Sequence, residues 1–376
     1  MKRINILVDM HVFDGKHQGT RTYLKGLYTA LIRLRSPFHF FFVSTKIENL
    51  KREFGEPSNI SFVELKSKNK FYRLIFELPN LIRKYDIKYA HYQYISPLFK
   101  NCKTIVTTHD ILFQQKEFKS FFPFKYRLIN GLLFWFSAKR ADILLTVSEY
   151  SKEKISKIYK ILDQNIFVTP NAVDSDFEEL DHSVKFVKEG KTILYVSRVE
   201  PRKNHIILVQ AFLDLELYKK GYKLVFIGAH DFPGKKLLEF IESNNRILKG
   251  SIVWRQNIPI DLIKHYYANC DLFVFPSYAE GFGIPVLEAM TFNSKILVSN
   301  QTAMKDFNLP DELTFAPDDL IDLKSKITNI LSIYDDKHTR KFEEILSKYS
   351  WNKSAEVLLD AISRNNKLKP VLSKKS

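Results

Sequence analysis

Residues 271–290, "DLFVFPSYAEGFGIPVLEAM", contain a strand, a turn and a helix start in one run. The segment "DLFVFPS" has the apolar, aromatic and β-branched character of a buried strand. Gly281 and Gly283 then punctuate the chain. Pro285 suits the first turn of a helix, because its missing N–H has no partner there anyway. Glu280 therefore falls in a loop at the carboxyl end of a strand, and Glu288 is expected in the opening turn of the following helix. Two acids around a glycine-rich turn at a helix start form a candidate ligand site.

The same strand-then-helix grammar recurs on both sides. Towards the N-terminus, "INILVDM", "FHFFFVST", "ISFVEL", "IKYAHYQY", "KTIVTTHD" and "ADILLTVS" read as strands. "RTYLKGLYTALIRL" and "EYSKEKISKIY" have helical periodicity. The pattern restarts with "TILYVSRV" and continues through "KLVFIGA", "DLFVFPS", "KILVSN" and "LTFAP", again interleaved with helices. Such alternation predicts parallel sheets covered on both faces, an α/β class. The polar segment 169–191 breaks the rhythm and marks a domain boundary. The expected architecture is two doubly wound domains, residues 1–172 and 173–350, facing a central cleft. Ligands bind at the carboxyl ends of strands in such sheets.

Bulk properties narrow the classes. The 376 residues are 45% hydrophobic and 27% charged, which is globular composition. Cys102 and Cys270 fit no metal spacing and read as buried free thiols. No apolar stretch approaches the roughly 18 residues a membrane span needs. The short apolar run after "MKR" reads as a first strand rather than a leader, so a cytoplasmic protein is expected. With 58 basic against 42 acidic residues, the net charge of +16 implies an anionic partner. Nucleic acid, an anionic membrane and phosphorylated small molecules all qualify.

The residues at the two expected strand ends separate these. In "SRVEPRKNH", Arg198, Arg202 and Lys203 sit between a strand and a helix, where cations and free backbone N–H groups can hold an anion. A solvated basic loop is the competing reading. Carboxylates such as Glu280 accept hydrogen bonds from hydroxyl-rich ligands, whereas Glu288 alone could be an acid stabilised by the helix dipole. Cations for phosphates beside acids for hydroxyls fit a nucleotide sugar.

The runs "YVSRVEPRKNH", "LVFIGA" and "FPSYAEGFGIPVLEAM" resemble the family 4 retaining glycosyltransferases of GT-B fold, bacterial surface-polysaccharide type. "GTRTYLKGL", "TTHDILF", "LTVSEYSKEKI", "VTPNAVD" and "YSWNKSAEVLLDAI" look like further landmarks of that family, in order along nearly the whole chain. The resemblance implies two Rossmann-like domains, with a helix near 351–368 packing back on the first and 369–376 a basic tail. It also implies roles. Arg198 and Lys203 would hold the donor diphosphate, Glu288 the ribose and Glu280 the transferred sugar. Gly281, Phe282, Gly283 and Ile284 would add backbone contacts to the donor, Gly19 would lie near the phosphates, and His109 would face the sugar. No cofactor is implied, since the nucleotide sugar is a substrate and no metal is expected. Departures include Ala172 where the family often has glycine, and the loop "VWRQNIP", which lacks another.

Two decoys carry bland readings. The acidic triplet 174–176 matches a metal motif of the other large glycosyltransferase fold but lies in the expected inter-domain connection. His91 could line an acceptor cleft or be a packed structural histidine. The function implied by the resemblance is retaining transfer of a hexose, mannose as the guess, to a lipid-linked or polysaccharide acceptor in lipopolysaccharide, O-antigen or capsule assembly. A soluble acceptor is the alternative, and a non-enzymatic binder of nucleic acid or a membrane surface is the rival from another class; the intact site motifs count against that rival, and no nucleic-acid partner is expected. Residues 116–127 mix Lys116, Lys119, Lys125 and Arg127 with four phenylalanines, which suits an anionic membrane surface and a peripheral location. Leu128 to Phe136 are expected to be a core helix.

Overall fold

The computed structural model describes residues 4–15, 19–34, 37–174, 177, 179–181, 183–184, 186–188, 190–229, 235–248, 250–332 and 338–366. The basic tail 369–376, and Ser175 and Asp176 of the acidic triplet, lie outside the described residues. The chain divides into two compact units, residues 1–171 with 350–376 and residues 172–349.

In the first unit the strands are β1 (Ile4–Asp9), β2 (Phe38–Ser44), β3 (Ile60–Glu64), β4 (Tyr89–Gln93), β5 (Lys103–Thr107), β6 (Ile143–Thr146) and β7 (Ile166–Val168). They pair in the order β3-β2-β1-β4-β5-β6-β7, all parallel. The order reverses direction at β1 and β4, so crossover helices cover both faces. Helix Glu149–Tyr159 shows how local chemistry sets its bounds: the Ser148 hydroxyl accepts from the Ser151 N–H, and Lys160 closes it in a left-handed conformation. Helix Trp351–Asn366 belongs to this unit and packs on helix Gly19–Arg33. Gly26 makes that approach possible, because a Cβ there would stand 2.0 Å from the Trp351 ring. Ser354 Oγ also donates to the Pro170 carbonyl at 2.7 Å.

His91 is a core residue. It is fully buried on β4, with Nδ1 2.7 Å from the Tyr28 hydroxyl and Nε2 2.7 Å from Thr107 Oγ1. Burial, and then the neighbouring His109, depress its pKa to about 3, so it stays neutral. The structural reading of this histidine therefore holds over the cleft reading.

Helix Phe124–Arg140 departs from expectation. Phe134 and Ala138 enter the core cluster, but Leu128, Leu132 and Trp135 are exposed, so the stretch from Leu128 to Phe136 is not a core helix as a whole. Phe122, upstream of it, packs against the core instead. Cys102 and Cys270 are free and half-buried rather than buried.

The second unit contains β8 (Lys191–Val196), β9 (Tyr222–Ile227), β10 (Ile252–Arg255), β11 (Leu272–Phe275), β12 (Ile296–Ser299) and β13 (Thr314–Phe315), ordered β10-β9-β8-β11-β12-β13 and parallel. β10 corrects the reading of "VWRQNIP" as a loop: Val253, Trp254 and Arg255 are strand, and the Trp254 indole donates to the Gly228 carbonyl. The direction of the sheet switches between β8 and β11. That switch brings the loop after β8, "SRVEPRKN", beside the loop after β11, "YAEGFG".

Candidate active site

Hydrogen bonds lock the two loops of the second unit together. Tyr278 N–H donates to the Arg202 carbonyl at 2.8 Å. The buried Tyr195 hydroxyl donates to the Lys203 carbonyl at 2.8 Å and lies 3.2 Å from Ser277 Oγ. On this frame the charged side chains alternate in sign. Arg198 pairs with Glu200 at 2.7 Å, Glu200 with Arg202 at 2.8 Å, Arg202 with Glu280 at 3.0 Å, and Glu280 with Lys203 at 2.5 Å. Three cations against two carboxylates leave one positive charge at the switch point.

Glu280 is 7% exposed. Burial alone would raise its carboxyl, but Lys203 and Arg202 reverse that and hold it down to about 2. Lys203 is also enclosed, over the face of Phe275, and burial followed by the Arg202 charge lowers its pKa. The loop carrying Glu280 is pinned by Thr302, whose hydroxyl accepts the Glu280 N–H at 3.0 Å. Thr302 has φ +53, a rare conformation for a β-branched residue, and such strain marks a position that its surroundings over-determine.

After Glu280 the chain turns into helix Ile284–Thr291, with Gly283 at its N-cap at φ +116 and Pro285 in the first turn. A Cβ at Gly283 would press 2.8 Å from Met304 Sδ, so both conformation and space require glycine. Glu288 is the fifth residue of the helix, in its second turn rather than its opening one. Helix-dipole stabilisation therefore does not explain it. Its Oε2 accepts from the Tyr267 hydroxyl at 2.8 Å. Burial raises its carboxyl to about 7, with Asp174 adding to the rise and the Tyr267 bond opposing it.

Residues 176–350 match the family model described as glycosyl transferases group 1, and residues 17–177 match the model described as glycosyltransferase family 4. The chain belongs to the family 4 glycosyltransferases. The serotype-specific mannosyltransferase WbdA of Escherichia coli is 25% identical over 278 residues, 70% of this chain and 33% of its own length. This chain thus spans about a third of that relative's length. The O-antigen chain mannosyltransferase RfbU of Salmonella typhimurium is 25% identical over 264 residues, 70% of this chain and 69% of its own. A crystal structure of a glycosyltransferase from Rickettsia africae aligns with a TM-score of 0.71, covering 98% of this chain and 100% of its own at 18% identity. The fold is GT-B, two Rossmann-like domains.

The residues singled out through this family resemblance fall as follows. Arg198, Lys203, Glu280, Gly281, Phe282, Gly283, Ile284 and Glu288 all lie in the second unit, around the ends of β8 and β11. The Phe282 side chain is buried against Phe307 and Tyr349, so only its backbone faces outward chemistry. His109 and Gly19 belong to the first unit. Gly19 is the first residue of its helix, and among the described residues no atom beyond its chain neighbours and its own helix backbone lies within 4 Å of where its Cβ would be. His109 follows β5 and is buried, and that burial depresses its pKa to about 3. Its Nε2 donates to Gln93 Oε1 at 2.8 Å, a tautomer that leaves Nδ1 as an acceptor. Sequence reasoning passed over Glu200, Tyr267, Thr302 and Gln93, and left Arg202 out of the expected site. Glu200 and Arg202 were both visible in "EPRKN"; nothing local marks Tyr267, Thr302 or Gln93.

A pH dependence follows for nucleotide binding. A ribose held by Glu288, the role the family resemblance implies, would pair best with its ionised form, and a carboxyl near pKa 7 is mostly protonated at pH 6. Affinity for a nucleoside diphosphate should therefore rise about tenfold from pH 6 to pH 8, following the ionised fraction. Calorimetry at both pH values, beside Glu288→Gln, checks it. The variant should lose the rise; an equal rise in both proteins assigns it to the phosphate.

Proposed function

We propose that the chain is a retaining, metal-independent hexosyltransferase that moves mannose from a nucleotide sugar to a lipid-linked or polysaccharide acceptor in surface-polysaccharide assembly. The observation that carries the reading is the ladder of Arg198, Glu200, Arg202, Glu280 and Lys203 at the switch point, with Glu288 one helical turn beyond. Mannose is favoured because the WbdA and RfbU relatives are both named mannosyltransferases.

The diphosphate binds at Arg198 and Lys203. Lys203 has three donors, so it can keep Glu280 while donating to a phosphate oxygen. Glu288 takes the ribose hydroxyls and Glu280 the hydroxyls of the transferred sugar. As the bond between the anomeric carbon and the diphosphate oxygen breaks, its electron pair goes to the diphosphate, whose growing charge the cations stabilise. The acceptor oxygen attacks the same face and its proton passes to the departing phosphate. Glu280 is tied to two cations and serves as a sugar ligand, not as the nucleophile of a double displacement.

A thermal-shift screen of common nucleotide sugars tests the reading. At about 100 times its Kd the true donor should stabilise by roughly 2.7 kcal/mol, and the protein should hydrolyse or transfer from it. A flat response to every nucleotide sugar would sink the proposal.

A further inference from the structure

Helix Phe124–Arg140 has one face committed to the fold. Phe134 stacks on Tyr94 at 4.7 Å, and Tyr94 lies 5.2 Å from the His109 ring. Ser137 Oγ accepts the Ser96 N–H at 3.0 Å. Gly131 lets the helix come down on Gln114, where a Cβ would meet the amide at 2.7 Å. The helix is thus firmly seated on the first unit by its inward side.

Its outward side is apolar and open to water. Phe124, Leu128, Leu132 and Trp135 follow one another at spacings of four, four and three, which places them on one stripe. They are 71%, 64%, 65% and 42% exposed, and Ile129 beside them is also exposed. Phe71 and Phe76 are exposed on the helical segment that covers the same face of the sheet, since Leu74 and Phe134 share one core cluster. Phe99 is exposed beside the carboxyl end of the helix, where Lys100 donates to the Arg140 carbonyl. A continuous apolar stripe exposed along one helix face marks an interaction site.

The charges name the occupant. Residues 124–140 contain Lys125, Arg127, Lys139 and Arg140 and no acid. Arg127 lies over the Phe124 ring at 5.7 Å and Arg140 over Phe136 at 4.8 Å, so cations rim the apolar stripe. Two copies packed through this face would oppose like charges with no acid on the helix to relieve them. Apolar side chains rimmed by cations match the interfacial zone of a bilayer with anionic headgroups. We infer that the exposed face of helix Phe124–Arg140, with Phe71, Phe76 and Phe99, is a docking surface for an anionic lipid bilayer. The surface therefore centres on the helix and not on residues 116–127. The lipid-linked acceptor of the proposed function gives docking a purpose, because the docked helix is one side chain, Tyr94, from His109. The structural argument stands without that acceptor.

The experiment is co-sedimentation with phosphatidylglycerol–phosphatidylcholine vesicles at low and high salt, without any nucleotide sugar. Wild type should bind, and salt should weaken binding. Leu128→Glu with Leu132→Glu should cut partitioning at least about tenfold, since it removes two inserted side chains. Lys125→Glu, Lys139→Glu and Arg140→Glu together should abolish the salt-sensitive part. Both variants change exposed residues, so their Tm should match wild type. No binding by wild type, or undiminished binding by the leucine variant, overturns the inference. Concentration-dependent self-association that the leucine variant abolishes, without vesicle binding, would make the face a homodimer interface and also overturn it. Because donor binding is read separately, failure here leaves the transferase proposal standing.

Discussion

Replacing Arg198 by alanine should slow sugar transfer at least about a hundredfold, the scale of losing one preorganised charge-stabilising group, with little change in Tm. The geometry separates the two effects. The Arg198 side chain is 46% exposed and its recorded partner is the neighbouring Glu200, so its loss removes a surface pair of little worth to the fold. In the proposed reaction its value lies in the loaded state, where a diphosphate would compete with Glu200 for the guanidinium. Lys203→Ala should slow transfer as much, but it is the poorer test. Lys203 is half-buried and paired to Glu280, so its removal also leaves part of a buried carboxylate unmatched and lowers stability. Steady-state transfer with purified Arg198→Ala, beside its melting curve, decides the matter. Transfer within a few-fold of wild type would remove Arg198 from the diphosphate site.

What could be read along the chain and what could not differ in range. Strands such as Phe38–Ser44 and Leu272–Phe275 were legible because both faces are buried, which makes the whole run apolar. β10 was not, because it is an edge strand whose residues are half-buried or exposed, so its composition resembles a loop. Helix Phe124–Arg140 was legible as a helix, but apolar residues surround it, so periodicity could not say which side faces inward. In the site, the turn of Gly283 and Pro285 was readable from local chemistry. The partners of Glu280 were not: Arg202 and Lys203 lie 78 and 77 residues away and meet it only through the order of the sheet. Thr302 reaches Glu280 from 22 residues on, through a backbone conformation that a threonine does not announce. Family resemblance named the acids and the basic loop, but not that they bind one another before any ligand arrives.

That pairing makes Glu280→Gln the most disruptive single change in the site. The amide leaves Lys203 and Arg202 enclosed with only Glu200 to balance three cations, and breaking a buried pair in this way costs about 3–5 kcal/mol. The sign with pH is specific. Glu280 is held at about 2 in the folded chain against an ordinary 4.5, so its contribution is fully present above pH 4.5 and fades as pH falls towards 2. Wild type should therefore exceed Glu280→Gln in urea-unfolding stability by the full margin near pH 6, and the gap should narrow by pH 3. Ligand binding gives the second signature. The uncompensated cations should welcome a nucleoside diphosphate, so the variant's Tm should rise more than wild type's on adding it. Glu288→Gln should instead weaken that ligand, through the lost ribose contact. Transfer by Glu280→Gln should remain poor even with nucleotide bound, because the proposed ligand of the transferred sugar is gone. Equal stability of the two proteins at pH 6 would show that the ladder of charges does not hold this loop together, and Glu280 would then be a sugar ligand alone.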